Sequence, residues 1–236
     1  MNEISLMFSG GVDSTIAAIN LSKQYDRVHL LTYCNGHGHC FMGTSKKRAR
    51  ELTEKFGDKF THNLLGIEEP FEEIVLNSLL EDYKEFKSGF IWCLGCKITM
   101  HTCSILYNIK HNIKYMADGS SQDTSEMVEQ SIISISMIKM FYKKYDIDFF
   151  VPVYELPRKE KIKELRKLKF DLGIPLGDRH IGIQPRCIPG ELYYLPYLLF
   201  NKALEHEEMP VVRFIEKKRN LADNYIKEQS SNGKML

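Results

Sequence analysis

The sequence predicts an α/β protein: a doubly wound parallel sheet of about five strands, with helices on both faces and a small irregular and helical C-terminal extension. Three observations carry this. Short apolar runs of strand length alternate with segments of helical apolar spacing along most of the chain. The first run, Ile4 to Phe8, stops at a glycine pair and gives way at once to a helical pattern. From Gly173 onward Gly and Pro interrupt the alternation. The expected division is therefore an α/β domain over 1–175 and an extension over 176–236.

In order, Ile4 to Phe8 reads as a buried strand and Thr15 to Lys23 as a helix. Arg27 to Tyr33 is a second strand, and Thr44 to Phe56 a charged amphipathic helix capped by Thr44 or Ser45. Lys59 to Leu65 is a third strand and Pro70 to Tyr83 a helix. Lys84 to Trp92 breaks the pattern and delivers the chain to Cys93, at a loop entering a helix over Lys97 to Ile109. Lys114 to Ala117 is a strand, Asp123 to Tyr145 one long helix, Asp148 to Tyr154 a fifth strand, and Arg158 to Phe170 a basic amphipathic helix. The tail from about Lys217 is polar and expected to fray.

Composition narrows the class. A hydrophobic fraction of 43%, a charged fraction of 27% and a net charge of +1 are those of a globular protein with no global field for nucleic acid or membrane. No apolar run reaches about 18 residues, and the N-terminus lacks a signal peptide's features, so a cytoplasmic protein without a membrane partner is expected. Six cysteines in such a chain do not suggest a disulfide framework.

The strongest local signal is Ser9-Gly10-Gly11-Val12-Asp13-Ser14, between a strand and a helix. Two glycines let the backbone approach phosphate oxygens, and the helix that follows offers unpaired N–H groups and a positive dipole end. Ser9 and Ser14 add hydroxyl donors. Asp13 repels phosphate, so it reads as a cap or as a partner of the Mg²⁺ that accompanies ATP. No Gly-Lys-Ser/Thr follows, which excludes a Walker loop. The run resembles the SGGxDS motif of the PP-loop ATP pyrophosphatases, and that resemblance implies ATP binding, adenylation of a substrate and release of pyrophosphate. The ATP set it implies is Phe8, Ser9, Gly10, Gly11, Val12, Asp13 and Ser14, with Cys34 and Gly119.

Cys93 and Cys96 stand in Trp92-Cys93-Leu94-Gly95-Cys96-Lys97, and Cys187 in the Pro- and Gly-flanked loop Gln184-Pro185-Arg186-Cys187-Ile188-Pro189-Gly190. A helix N-terminus and Lys97 would lower the pKa of the first two thiols. Behind a PP-loop, the three cysteines resemble the set of tRNA 2-thiolation enzymes that hold a [4Fe–4S] cluster. The Cys-Lys run is also similar to enzymes that insert sulfur into the lactate racemase cofactor. Asp118-Gly119-Ser120-Ser121-Gln122-Asp123 resembles their DGTNADD stretch, with Ser-Ser-Gln in place of Thr-Asn-Ala; Lys159 to Leu172 and Gly173-Ile174-Pro175 resemble their KxxxR…LGLP segment. The likeness spans roughly residues 3–190.

Other readings stand beside it. Cys93 and Cys96 suit structural zinc with ligands from Cys34, His37, His39 and Cys40, or a metal-free redox or persulfide pair. Cys103 reads as a buried free thiol. Asp118-Gly119 is also a turn and Asp123 also a helix cap. Lys46-Lys47-Arg48-Arg50 reads as a solvated face, and the basic residues from Arg158 to Lys169 as a stronger candidate for polyanion contact.

The resemblance implies an adenylating sulfurtransferase that uses ATP, Mg²⁺ and a [4Fe–4S] cluster on Cys93, Cys96 and Cys187, with Asp13, Asp118 and Asp123 as catalytic carboxylates. Its implied partners are a tRNA or small-molecule acceptor, a sulfur-donor protein and a second copy of the chain. The alternatives are a zinc-containing ligase similar to 7-cyano-7-deazaguanine synthase and a non-catalytic ATP-binding module.

Overall fold

The computed structural model describes residues 2–176, 179–200 and 206–231. Along the chain, β1 (Glu3–Met7) leads through the glycine pair into α1 (Val12–Leu21), followed by β2 (Arg27–Cys34), the short β3 (His39–Cys40), α2 (Gly43–Phe56) and β4 (Phe60–Gly66). Then come α3 (Glu68–Ile74), α4 (Leu79–Phe86), the long α5 (Phe90–His111), β5 (Tyr115–Ala117), α6 (Ile132–Lys143), β6 (Asp148–Phe150) and α7 (Arg158–Lys167). The remainder holds β7 (Ile174–Leu176), β8 (Arg179–Ile181), β9 (Arg186–Cys187), α8 (Ile188–Phe200) and α9 (Glu208–Ser231).

Five strands form one parallel sheet in the order β4-β2-β1-β5-β6. β1 is central and buried on both faces: Ile4 and Leu6 on one side, Ser5 and Met7 on the other, as a strand covered by helices on each side requires. One face packs against α1, α2 and α7 through Ile16, Leu52 and Leu165. The other packs against α5, α6 and α9 through Leu106, Phe141, Phe214 and Ile226. Each such side chain contributes about 1.5–3 kcal/mol on leaving water.

Strand order reverses beside β1: the chain steps outward to β2 and β4, then returns to place β5 on the other side. The loops after β1 and β5 therefore part at the carboxyl edge of the sheet, where open α/β sheets bind ligands. A second pairing matters as much. Antiparallel β3 and β9 join His39 to Cys187 and Cys40 to Arg186, which returns the late cysteine to the tip of β2.

Several boundaries differ from the sequence expectation for identifiable reasons. The helix expected over 123–145 begins only at Ile132, capped by Ser131, whose hydroxyl accepts from the Ser134 amide (3.3 Å). Upstream of it, Gln130 accepts from the Ser121 amide and the Thr124 hydroxyl, and such side-chain bonds hold the segment in short turns. The helix over 70–83 is two helices broken at 75–78. The fifth strand ends at Phe150, ahead of Pro152. Thr44 and Ser45 do not cap α2; their hydroxyls bond back to the Phe41 and Met42 carbonyls.

The tail does not fray over its described length. α9 runs to Ser231 and buries Lys218 as well as Phe214 and Tyr225. Lys218 Nζ reaches Asp82 (2.6 Å), the Ile74 carbonyl (2.6 Å) and Ser78 (2.8 Å), so its charge is paired inside the protein. Residues 232–236 of the expected tail lie outside the described residues. No helix among the described residues is long and apolar enough to cross a membrane.

Candidate active site

The phosphate loop emerges from β1, whose extension is held by the Phe8 amide on the Leu31 carbonyl (2.7 Å). Gly10 turns at φ +79°, and a Cβ there would lie 3.1–3.3 Å from Arg48, Ser45 and Ile183, so only glycine fits. Ser9 Oγ lies 3.2 Å from Ser14 Oγ and accepts from the Gly11 amide at 3.2 Å. Thr15 donates its hydroxyl to the Gly11 carbonyl (2.6 Å), fixing the loop to the first turn of α1. Buried Arg48 donates Nε to the Gly10 carbonyl (3.2 Å) and reaches the Asp171 carbonyl. The four-residue basic run of α2 therefore divides: Arg48 is a loop brace, while Lys46, Lys47 and Arg50 face solvent.

Asp13 does not cap α1, whose N-cap is Gly11. It pairs with Lys161 (2.6 Å) and Arg158 (3.5 Å) at the start of α7. Lys161 has no exposure, lies 3.7 Å from Asp123 and donates to Ser121 (2.7 Å). Asp123 also accepts from the Arg158 amide (2.6 Å). Asp13 and Asp123, far apart in sequence, thus share one buried ammonium. The basic helix seen in the sequence has two faces: Arg158 and Lys161 point to the loop, while Lys159, Lys163, Arg166 and Lys167 are exposed.

Asp118 directly follows β5 and is buried. It pairs with Lys97 (2.6 Å), accepts from Ser120 (2.9 Å) and lies 3.9 Å from His101. Burial would raise its carboxyl, but the Lys97 ammonium and the Ser120 hydroxyl hold it below the usual range. The adjoining Gly119 presses on the phosphate loop: a Cβ there would lie 2.9 Å from Ser14 Cα. Cys34 sits at the tip of β2, its carbonyl accepting from the Ile67 amide (2.8 Å).

The thiols occupy the opposite side of Asp118. Cys93 and Cys96 lie within α5, one turn apart on one face, and not in a loop ahead of it. The Sγ atoms of Cys93 and Cys187 each lie 3.5 Å from where a Cβ on Gly190 would stand, so the third cysteine does converge with the pair. Cys96 Sγ accepts from Asn35 Nδ2 (3.3 Å) and lies 3.9 Å from His39 Nε2. Asn35 also accepts from the His37 amide (3.0 Å), so its side chain faces the thiols.

The expected lowering of the thiol pKa values does not occur. Burial pushes Cys93 well up and Cys96 up to about 12, and raises Cys187 against the opposing Gly190 backbone bond. The lysine assumed to favour their thiolates spends its charge on Asp118. Sequence reading also missed Glu129, whose half-buried carboxyl accepts from Tyr194 (2.6 Å) and is raised by desolvation. Among the described residues no group of three or more His, Cys, Asp or Glu side chains is placed to hold a single metal ion, so neither the zinc set nor the three cysteines has that support.

A central β1 running into SGGVDS at the switch point of a parallel sheet defines a PP-loop nucleotide-binding domain. The chain belongs to the tRNA methyl transferase HUP domain family, whose model matches residues 2–170. It is 27% identical over 233 residues to the tRNA-specific 2-thiouridylase MnmA 2 of Fusobacterium nucleatum, covering 94% of this chain and 64% of that protein. The chain therefore spans about two thirds of the length of that relative. Among solved structures it is similar to a 4-thiouridine synthetase in complex with RNA and ATP (TM-score 0.51, 13% identity, 96% of this chain and 53% of that one), a likeness of fold. Another similar structure is a predicted subunit of tRNA methyltransferase from Methanocaldococcus jannaschii (TM-score 0.48, 18% identity, 71% of this chain and 76% of that one).

Proposed function

We propose that this chain uses ATP to activate a tRNA base by adenylation and then replaces the activated oxygen with sulfur, that oxygen leaving with AMP. The observation that carries the proposal is the juxtaposition, across the Lys97–Asp118 pair, of an SGGVDS loop and three converging thiols. The thiouridylase relative and the family match support tRNA as the acceptor.

In this reading the base oxygen attacks the α-phosphate of ATP and pyrophosphate leaves. The N–H groups of Gly11 and the first turn of α1, with the Ser9 and Ser14 hydroxyls, take up the charge that develops on the leaving group. Asp13 and Asp123 are the carboxylates to hold Mg²⁺, because both are partly open to solvent whereas Asp118 is buried against Lys97. Lys161 then keeps those two carboxylates close without leaving an unbalanced charge. Cys34 and Gly119 border the nucleotide, and the segment from 176 completes the site by supplying Cys187.

Cys93, Cys96 and Cys187 offer the soft thiolate donors that a [4Fe–4S] cluster takes, with one corner left open. Such a cluster would supply a site to hold the transferred sulfur. A second reading, a persulfide on one of these thiols without metal, is favoured by the lack of any ion-holding group among the described residues. Anaerobic purification with iron and acid-labile sulfide analysis separates the two: stoichiometric iron lost in Cys93→Ala supports the cluster, and its absence with retained thiolation supports the persulfide. The adenylation itself is tested by incubation with ATP and unmodified tRNA. Pyrophosphate release that depends on tRNA, with a thiolated nucleoside on digestion, is expected; ATP turnover indifferent to tRNA would overturn the proposal.

A further inference from the structure

We propose that Gln184 is a positioning residue of the phosphate loop, and that the strap Gly182–Cys187 transmits occupation of that loop to the thiol site. This rests on the reading of the loop as the ATP site.

The strap lies beyond the residues matched by the family model and crosses both halves of the site. At one end Ile183 and Gln184 cover the loop glycines. The Ile183 carbonyl is 3.3 Å from where a Cβ on Gly10 would stand, and Gln184 Oε1 occupies the Cβ position of Gly11, 2.0 Å from it. Ser9 Oγ donates to the same Oε1 (3.4 Å). At the other end Arg186 and Cys187 pair with Cys40 and His39, and the Ile188 amide donates to the Gly38 carbonyl (3.0 Å). Three residues of extended chain, about 10 Å, separate the Gln184 and Cys187 backbones.

The consequence follows from donor and acceptor chemistry. A phosphate oxygen and the Gln184 carbonyl are both acceptors, and the Ser9 hydroxyl has one proton to donate. A phosphate seated on Ser9 and Gly11 takes that proton, and the Gln184 amide then turns its –NH₂ toward the anion. The turn occurs three residues from Cys187, on a segment whose far end is fastened to the thiol site by the β3–β9 pairing. Gln184 thus serves as a ligand to the pyrophosphate and as the link that sets Cys187.

Hydrogen–deuterium exchange of the full chain, with and without Mg²⁺ and α,β-methylene ATP, tests this in wild type, Gln184→Ala and Gln184→Glu. In wild type the nucleotide should slow exchange both at residues 9–15 and at 183–190, including the Ile188 amide. Gln184→Ala should bind about tenfold more weakly, the worth of one hydrogen bond to a charged group, and at saturation protect 9–15 but not 183–190. Gln184→Glu should bind more weakly than Gln184→Ala, because a carboxylate repels phosphate where a mere packing role would not distinguish them. Protection at 183–190 retained in Gln184→Ala, or equal affinity of the two variants, overturns the proposal. Nucleotide protection of 9–15 alone in wild type sinks the strap but leaves the ATP site standing; no nucleotide binding at all removes both.

Discussion

The phosphate loop and the thiol site share one end of the sheet but are built in opposite ways. The loop is six consecutive residues braced mainly by their own neighbours, as in the Thr15 bond to the Gly11 carbonyl (2.6 Å). The thiol site is assembled from α5, the turn after β2, the 128–130 turn and the strap, which meet only through tertiary packing. A contiguous site can be disabled by changing its own backbone. An assembled one is sensitive to groups that never touch a ligand. Between the two stands the Lys97–Asp118 pair, one partner adjoining Cys96 and the other adjoining Gly119.

The largest effect that would divide the two regions is expected from Lys161→Met. Removing the buried ammonium leaves Asp13 and Asp123 without their shared partner. A broken buried pair costs 3–5 kcal/mol, and the partial exposure of both carboxylates puts this one at the lower end, about 3 kcal/mol. Urea unfolding should register that loss, while alkylation rates of Cys93 in the native state stay unchanged. A parallel change at Cys93 would mean the two regions are one cooperative unit. Gly119→Ala comes next. Its new Cβ would press on Ser14 backbone at 2.9 Å, which a flexible side chain cannot relieve, so about 2 kcal/mol of stability should be lost. Nucleotide affinity should fall with it, whereas Gly57→Ala, with no atom within 4 Å, would test only the φ +82° strain.

The same contrast explains what the sequence made legible. β1, the glycine loop and α1 follow from apolar period and glycine placement, which are local; β1 lies one residue from where it was expected, and α1 starts at Val12 instead of Thr15. Convergence of Cys187 with Cys93 depends on a two-residue pairing between segments more than half the chain apart, which no local pattern encodes. The polar residues misled most. Lys161 read as part of a polyanion contact and Lys218 as part of a fraying tail, yet each is fully buried against carboxylates contributed by distant elements. Ser121, Thr124 and Gln130 kept the 122–130 segment out of a helix by bonding to one another, although the apolar content downstream suggested one continuous helix.

His101, behind Asp118 in the wall between the regions, gives a smaller and pH-dependent effect. Burial, with Lys97 nearby, depresses its pKa to about 3, so it is neutral in the folded protein. The unfolded chain takes up a proton there as pH falls below about 6.5, so His101 favours folding least in acid: its contribution is intact above 6.5 and is lost progressively from there toward 3. Between pH 6.5 and 5 the Asp118 carboxyl stays ionised in both states and adds nothing. At pH 5.5 the loss should be roughly 1 kcal/mol relative to neutral pH. Urea midpoints at both pH values should show a shallower dependence in His101→Gln than in wild type, the difference isolating this residue from the other histidines. Equal slopes would place a charged imidazole in the wall.

The smallest effect decides to which region Asn35 belongs. It stands beside Cys34 at the tip of β2, where a nucleoside contact is one reading, yet its amide donates to Cys96 Sγ (3.3 Å) and accepts from the His37 amide (3.0 Å). Asn35→Ala should lower stability by about 1 kcal/mol, one net hydrogen bond in a turn that can rehydrate the other. The Asn35 bond favours the Cys96 thiolate against the burial that holds the thiol at about 12. Its loss should therefore shift the pH profile of Cys96 alkylation further upward and leave ATP affinity within about twofold, less than half a kcal/mol. A fall in ATP affinity with an unchanged Cys96 profile would move Asn35, and the tip of β2 with it, to the nucleotide side of the Lys97–Asp118 wall.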